Sequence, residues 1–317
     1  MPLSSKVKTA LDETRTLMLG AQILLGFQFH GAFQERFDAL SRPAKIIDAA
    51  ALLLMLTSIG LLIAPSAFHR IVDRGESTGR TLVATSLCAT ASLLPFAIAL
   101  GIDLSIALMR TVQNAGLGIV AGGSFALVGL AAWYGLGWIM RRHQGAAERR
   151  QAASDRGVTE AAPLHIRIEQ MLTEARVILP GAQALLGFQL AIVLTDTFEK
   201  LPSLPRLLHA AALLFVALSV ALLITPAALH RIVWAGEDTE AVLRIGGQIT
   251  ILALIPLAMG MAADSFVVLS RVLGSMGPAA VTAPLVLLCL IGLWFGWPFV
   301  ARLQRRSGFL SKEALDS

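Results

Sequence analysis

Four carboxamides, Gln22, Gln28, Gln183 and Gln189, stand inside runs of otherwise apolar residues. An amide that faces lipid without a hydrogen-bonding partner costs several kcal/mol, so these side chains must face protein or water. There they either bond neighbouring helices, at about 1 kcal/mol per bond, or line a polar path. On a helix, Gln28 is turned roughly 120° from Gln22, so the two do not share one narrow stripe. Asp103 and Asp264 each close an apolar run that contains a proline, Pro95 or Pro256, and each precedes an arginine, Arg110 or Arg271. A carboxylate so placed can bind a cation or carry a proton, and it can equally cap the orphan N–H groups of the next short helix. The segments Pro65 to Arg70 and Pro226 to Arg231 both read Pro-x-x-x-His-Arg. An imidazole titrates near neutral pH, which suits His69, Arg70, His230 and Arg231 to a proton-responsive gate. The plainer reading is a proline that ends a helix, followed by an arginine snorkelling to lipid phosphate.

These residues come in pairs because the chain is written twice. Gly-Ala-Gln-Ile-Leu-Leu-Gly-Phe-Gln from Gly20 recurs as Gly-Ala-Gln-Ala-Leu-Leu-Gly-Phe-Gln from Gly181, an offset of 161 residues. The same offset relates Pro65 to Pro226, His69-Arg70 to His230-Arg231, Gly75-Glu76 to Gly236-Glu237 and Trp133-Tyr134-Gly135 to Trp294-Phe295-Gly296. A self-match at fixed period is read before any local motif, so function has to be argued per half. The match is not complete. Asp48 has His209 as its counterpart, and His30 also lacks a titratable twin. Asp48 lies one turn from Lys45 and is expected to pair with it.

Composition sets the solvent in which these groups work. With 56% hydrophobic residues, 15% charged ones and a mean hydropathy of +0.71, the chain has too much apolar surface for a soluble core and requires lipid. Runs long enough to cross a bilayer fall at residues 17–33, 46–64, 82–102 and 116–140, and again at 178–194, 207–225, 242–263 and 279–300. The fold class is therefore all-α: a polytopic membrane protein with two repeats of about four transmembrane helices each. The first run of each set is the shortest, and re-entrant first segments would lower the total. An even number of spans per half makes the repeats parallel, related by an axis along the membrane normal. The expected domains are a first membrane repeat at 1–143, a polar linker at 144–164, a second repeat at 165–306 and a tail at 307–317. Residues 165–176, like 7–15, have the pattern of a short helix lying in the headgroup layer before its span.

Lys and Arg are concentrated at one end of this arrangement, in both termini, the linker and the loops holding Arg70, Arg74, Arg80, Arg231 and Arg244. Positive charge is retained on the cytoplasmic side, so the expected location is a bacterial inner membrane with both termini cytoplasmic, where the basic loops meet anionic lipid. The net charge of +5 does not point to nucleic acid, since the basic residues sit in short loops and not on one aromatic-studded face. Cys88 and Cys289 lie in apolar runs at unmatched repeat positions and form no metal or redox motif. No phosphate-cradling loop, nucleophile elbow or metal-spaced cluster occurs, so neither an enzyme nor a resident cofactor is expected.

Glu13-x-Arg15, Gly20-x-Gln22-x-Leu24-x-x-Phe27, Phe37-x-x-Leu40 and Leu62-Ile63-Ala64-Pro65-x-Ala67-Phe68-His69-Arg70 together resemble the bacterial membrane-protein family known as domain of unknown function 6328. Glu174 to Arg231 repeats the pattern, with Leu229 where an aromatic is usual. The resemblance implies a tandem fusion of two such domains, and some members of that family carry the label sodium/proton antiporter. It supplies no catalytic residue. The expectation is a transporter or channel for small cations or protons, with a path between the halves lined by the four glutamines. The alternative is a membrane scaffold or sensor that transports nothing. Self-association of the chain is compatible with either.

Overall fold

A computed structural model describes residues 3–135, 138–139, 159–160 and 162–304 of the chain. Among them the first repeat supplies α1 (Leu3–Gly31), α2 (Arg42–Ile71), α3 (Gly79–Val112) and α4 (Ala115–Leu130). The second supplies α5 (Leu164–Ile192), α6 (Ser203–Ile232), α7 (Glu240–Leu273) and α8 (Met276–Ile291). Seven of these eight, all but α1, are long and apolar enough to cross a membrane. The charged first half does not set α1 apart, since α5 carries Arg167, Glu169, Glu174 and Arg176 there; the difference is at the other end, where α1 closes with Phe29-His30-Gly31 and α5 with Leu190-Ala191-Ile192. The chain is thus a multi-pass helical protein with a duplicated plan. Most of the linker expected at 144–164 and the whole tail at 307–317 lie outside the described residues. The linker's described end, Thr159–Glu160 (β2), pairs antiparallel with Ser77–Thr78 (β1) in the turn between α2 and α3.

The helix starts are written locally. Ser41, Thr78, Asn114 and Thr239 each accept a backbone N–H of the first turn through the side chain, replacing a bond the helix cannot make for itself. The ends of α2 and α6 are written by glycine. Gly75 and Gly236 adopt φ of +78° and +88°, and their N–H groups return to the carbonyls of His69 and His230. Pro65 and Pro226, expected as terminators, instead lie inside helices that continue to Ile71 and Ile232. A proline removes one backbone donor and crowds the preceding turn, yet both prolines are buried among neighbouring helices, whose packing lets the rest of the helix ladder persist.

Inside each repeat the second and third helices lock together at a proline. Ser58 Oγ donates to the Ser92 carbonyl at 3.0 Å, just before Pro95, and Ser219 Oγ donates to the Ala253 carbonyl at 2.8 Å, just before Pro256. In each repeat a hydroxyl from the neighbouring helix thus bonds the carbonyl next to the one, of Ala91 or Leu252, that loses its amide partner to the proline. The third and fourth helices meet through small residues. Gly118 and Gly122 let α4 approach the backbone of α3, where a Cβ on Gly118 would sit 2.6 Å from the Met109 nitrogen. Ala279 and Ala283 hold the same places in α8 and are buried.

Two contacts locate the axis between the repeats. Lys8 Nζ bonds Glu169 at 2.6 Å, and the rings of Phe27 and Phe188 lie 4.8 Å apart. Each pair occupies one repeat position twice, which is what happens to residues on a two-fold axis. One pair is near the start of α1 and α5 and the other near their ends, so these helices run parallel, side by side along the axis. The two-fold is approximate. Gln22 is buried directly against Gly181, whereas the equivalent Gln183 is exposed and Gly20 has open space beside it. The helix α7 packs on α2 and α5 and is mostly buried, and Trp294 at the end of α8 donates to the Gly60 carbonyl at 2.9 Å. Its counterpart α3 makes no comparable contact with α6, and Trp133 is exposed.

The residues expected to form separate headgroup helices are continuous with α1 and α5. Ile168, Met171, Thr173 and Glu174 are buried, because this end of α5 is covered by α7 and by the turn after α2. A short bis-maleimide applied to Phe27→Cys with Phe188→Cys in a variant lacking Cys88 and Cys289 should join the two halves. A link that survives proteolytic cleavage between them checks this, and Leu127→Cys with Leu288→Cys should give none.

Candidate functional site

Two polar clusters are buried in the bundle, one at each end. At the end holding the β1–β2 pair, Glu174 of α5 reaches across to the last turn of α2. It lies 2.5 Å from His69 Nδ1 and accepts from Arg70 Nε, and all three side chains are buried. The backbone beneath is fitted to this pair, since a Cβ on Gly75 would stand 2.7 Å from an Arg70 nitrogen. Asp73 accepts from Thr78 Oγ1 at 2.7 Å and Thr81 Oγ1 at 2.6 Å, and Gln170 of α5 donates to Ser77 Oγ at 3.2 Å. This cluster ties the second repeat's first helix to the first repeat's α2–α3 turn.

The second copy of the motif does otherwise. His230 is 3.5 Å from Asp238, which is partly exposed, Arg231 is exposed, and Glu13, the repeat equivalent of Glu174, is exposed. The four residues read as twin gates therefore split into one buried, charge-paired site and one in which the histidine is half-buried and the arginine exposed.

At the opposite end, Gln28 of α1 donates through Nε2 to both carboxylate oxygens of Asp103, at 3.2 and 3.0 Å. Gln189 of α5 donates to Asp264 in the same way, and His209 Nδ1 lies 3.1 Å from that carboxylate. The other ring nitrogen, Nε2, lies 3.1 Å from the Gln189 carbonyl. Neither carboxylate caps a helix, because α3 and α7 run on to Val112 and Leu273 and Asn114 starts α4. The expected capping role therefore gives way to a position inside the helix, bonded to the first helix of the same repeat. Asp48, expected to pair with Lys45, does not: Lys45 bonds the Asp38 carbonyl at 3.2 Å and lies 3.7 Å from its carboxylate.

The four glutamines thus do not line one path. Gln28 and Gln189 serve their own repeats, Gln22 is buried in the seam with its carboxamide oxygen unpartnered among the described residues, and Gln183 faces outward. Polar space between the repeats lies beyond them, in a cavity of about 600 Å³ edged by Asp38, Asp196, Lys200 and Arg271. Arg271 closes one side of it by a bidentate bond to Asp38, 2.7 Å to each oxygen.

Sequence reasoning passed over Glu174 as a site residue although a signal was present: Glu-x-Arg recurs in both copies, as Glu13-x-Arg15 and Glu174-x-Arg176. The Asp73–Thr78–Thr81 network has no such signal, since Trp234 and Val242 replace Asp73 and Thr81 in the second repeat.

Removing Glu174 leaves a buried guanidinium unpaired, so Glu174→Gln should destabilise the protein by about 3–5 kcal/mol. Glu13→Gln, at the exposed equivalent, should stay within about 0.5 kcal/mol of the parent. Thermal unfolding in detergent measures both. The Arg271 guanidinium holds the Asp38 carboxyl below the usual carboxylate range. Its contribution is therefore present above the ordinary carboxylate value and lost as the pH falls through the lowered one. Asp38 is largely exposed, so Asp38→Asn should cost no more than a few tenths of a kcal/mol at pH 7, and the deficit should vanish in acid.

No curated protein and no solved structure matches the chain. A family model described as a family of unknown function, DUF6328, matches it twice, over residues 3–137 and 159–298. Those two segments contain both copies of the Gln–Asp pair and both Pro-x-x-x-His-Arg motifs, and the chain belongs to this family as a tandem duplication of its domain.

Proposed function

We propose that the protein is a transporter or channel for small cations or protons in the bacterial inner membrane, with both termini on the cytoplasmic side. The observation that carries this reading is the repeated Gln28–Asp103 and Gln189–Asp264 pairing. A carboxylate inside a membrane-spanning helix is costly and is kept where it handles ions or protons. In each repeat it is aimed by an amide, and among the described residues no lysine or arginine pairs with it. The polar groups lie within the repeats and the seam is filled by Phe27, Phe188 and Gln22 on Gly181, which favours conduction through each repeat with the 600 Å³ cavity as a shared vestibule. The His69–Arg70–Glu174 cluster would then set the opposite end of the path. The gathering of Lys and Arg in the loops at that end supports its cytoplasmic placement.

The filled seam also favours a second reading, a membrane scaffold or sensor whose basic loops meet anionic lipid. The two readings part in a flux measurement. Purified protein in liposomes loaded with ion-sensitive dyes, under sodium, potassium, magnesium or proton gradients, should pass at least one of them faster than empty liposomes. Asp103→Asn together with Asp264→Asn should abolish that flux. Rates equal to empty liposomes under every gradient would leave the scaffold reading alone.

A further inference from the structure

His209 has no histidine twin, since Asp48 stands at its repeat position. Its Nδ1 lies 3.1 Å from the Asp264 carboxylate and its Nε2 lies 3.1 Å from the Gln189 carbonyl. A carbonyl only accepts, so Nε2 carries a hydrogen. Nδ1 and the carboxylate then share one proton, and the pair has net charge zero whichever atom holds it. The second carboxylate oxygen takes the Gln189 amide N–H. Both ring nitrogens and both carboxylate oxygens are thereby engaged, so the site offers no open donor set to a metal ion. What it can give up or take is a proton.

Gln189 supplies an independent sign. Its side chain is fully buried, and its carboxamide oxygen has no partner among the described residues. A buried acceptor is costly to leave empty, which marks the site as one that a water or another hydrogen donor enters. Among the described residues Asp264 is the charged group that His209 meets. Arg271, further along α7, is bonded to Asp38, and Arg206 on α6 and Asp196, Glu199 and Lys200 before it are exposed.

One ring separates this proton from open space. Phe198 stands edge-on to His209 with ring centroids 5.2 Å apart. It is placed locally, because Thr195 Oγ1 accepts the Phe198 N–H at 3.2 Å and so starts the short helix Asp196–Glu199. Its neighbours Thr197, Lys200 and Leu201 line the cavity of about 600 Å³, as does Pro205, one turn before His209. In the first repeat the equivalent Phe37 lies instead under Lys45, whose Nζ is 5.7 Å from the ring centre.

We propose that Asp264, His209 and Gln189 form a proton-exchange site loaded from the cavity, with Phe198 as its lid. Release sends the shared proton to water in the cavity and leaves a carboxylate beside a neutral ring with hydrogen on Nε2 alone. Two acceptors then face each other, so the ring turns aside, and Phe198 is the side chain it displaces. Uptake of one proton restores the pair. This assignment rests on reading Asp264 as an ion-handling carboxylate, and it names the proton as what the second repeat handles.

Nitrogen NMR of the full-length protein in lipid, with isotope-labelled histidine and His209 assigned by the signals lost in His209→Asn, tests this without flux. The His209 ring signals should titrate between about pH 4 and about pH 9. Asp264→Asn should displace that profile by about one pH unit or more. Phe198→Ala should speed exchange of the ring hydrogen with deuterium by about tenfold or more, whereas Phe37→Ala should not. A parent ring that keeps one protonation state across the range, a profile unmoved by Asp264→Asn, or exchange indifferent to Phe198→Ala would overturn the proposal. A site that titrates as stated in a protein that passes no ion in liposomes would overturn the transport reading and leave this site standing. Flux with a ring that does not titrate would do the reverse.

Discussion

The buried carboxylate of Glu174 is the constraint around which the two halves are arranged. Taking Glu174, His69 and Arg70 out of water is tolerable only where the carboxylate pairs with both basic groups, as it does here, although His69 Nε2 and one Arg70 nitrogen have no partner among the described residues. That requirement fixes the rotation of α5 against α2, and it draws in Gly75, whose positive φ and missing side chain make room for the guanidinium. The next turn, with Asp73, Thr78 and Thr81, starts α3. A single acidic side chain from one repeat thereby organises three consecutive structural decisions in the other.

That contact is made once, and the bundle is lopsided as a result. A strict two-fold would give Glu13 the same hold on His230 and Arg231, and α3 the same seat on α6 that α7 has on α2. Neither is found. The halves meet on the axis at Lys8–Glu169 and Phe27–Phe188, then diverge away from it. One side closes through α7 and Trp294, and the other leaves α3, α4 and α6 with apolar faces turned outward. Such outward faces are ordinary where the solvent is lipid.

Much of this was legible in the residues. The duplication, the parallel sense of the repeats and the helical membrane class follow from a fixed offset and from composition, which are one-dimensional quantities. Pairings between helices are not. Pro65 and Pro226 read as helix ends because local chemistry says so, whereas the true stops are Gly75 and Gly236, several residues on. Asp48 beside Lys45 is a reasonable pair at one-turn spacing, yet Lys45 turns to the 3₁₀ turn at Glu35–Ala39, which no local rule places within reach. Equal sequence also misled where the environment is unequal, as with Gln22 in the seam and Gln183 outside it.

A homodimer encoded by one gene must accept every substitution on both sides of its axis. Joining the copies into one chain removes that obligation, and the exchange of Asp48 for His209 across the repeat is a change that only such a linked pair can hold at a single locus. Covalent fusion in this protein therefore does more than fix stoichiometry: it permits division of labour between halves that began as equals.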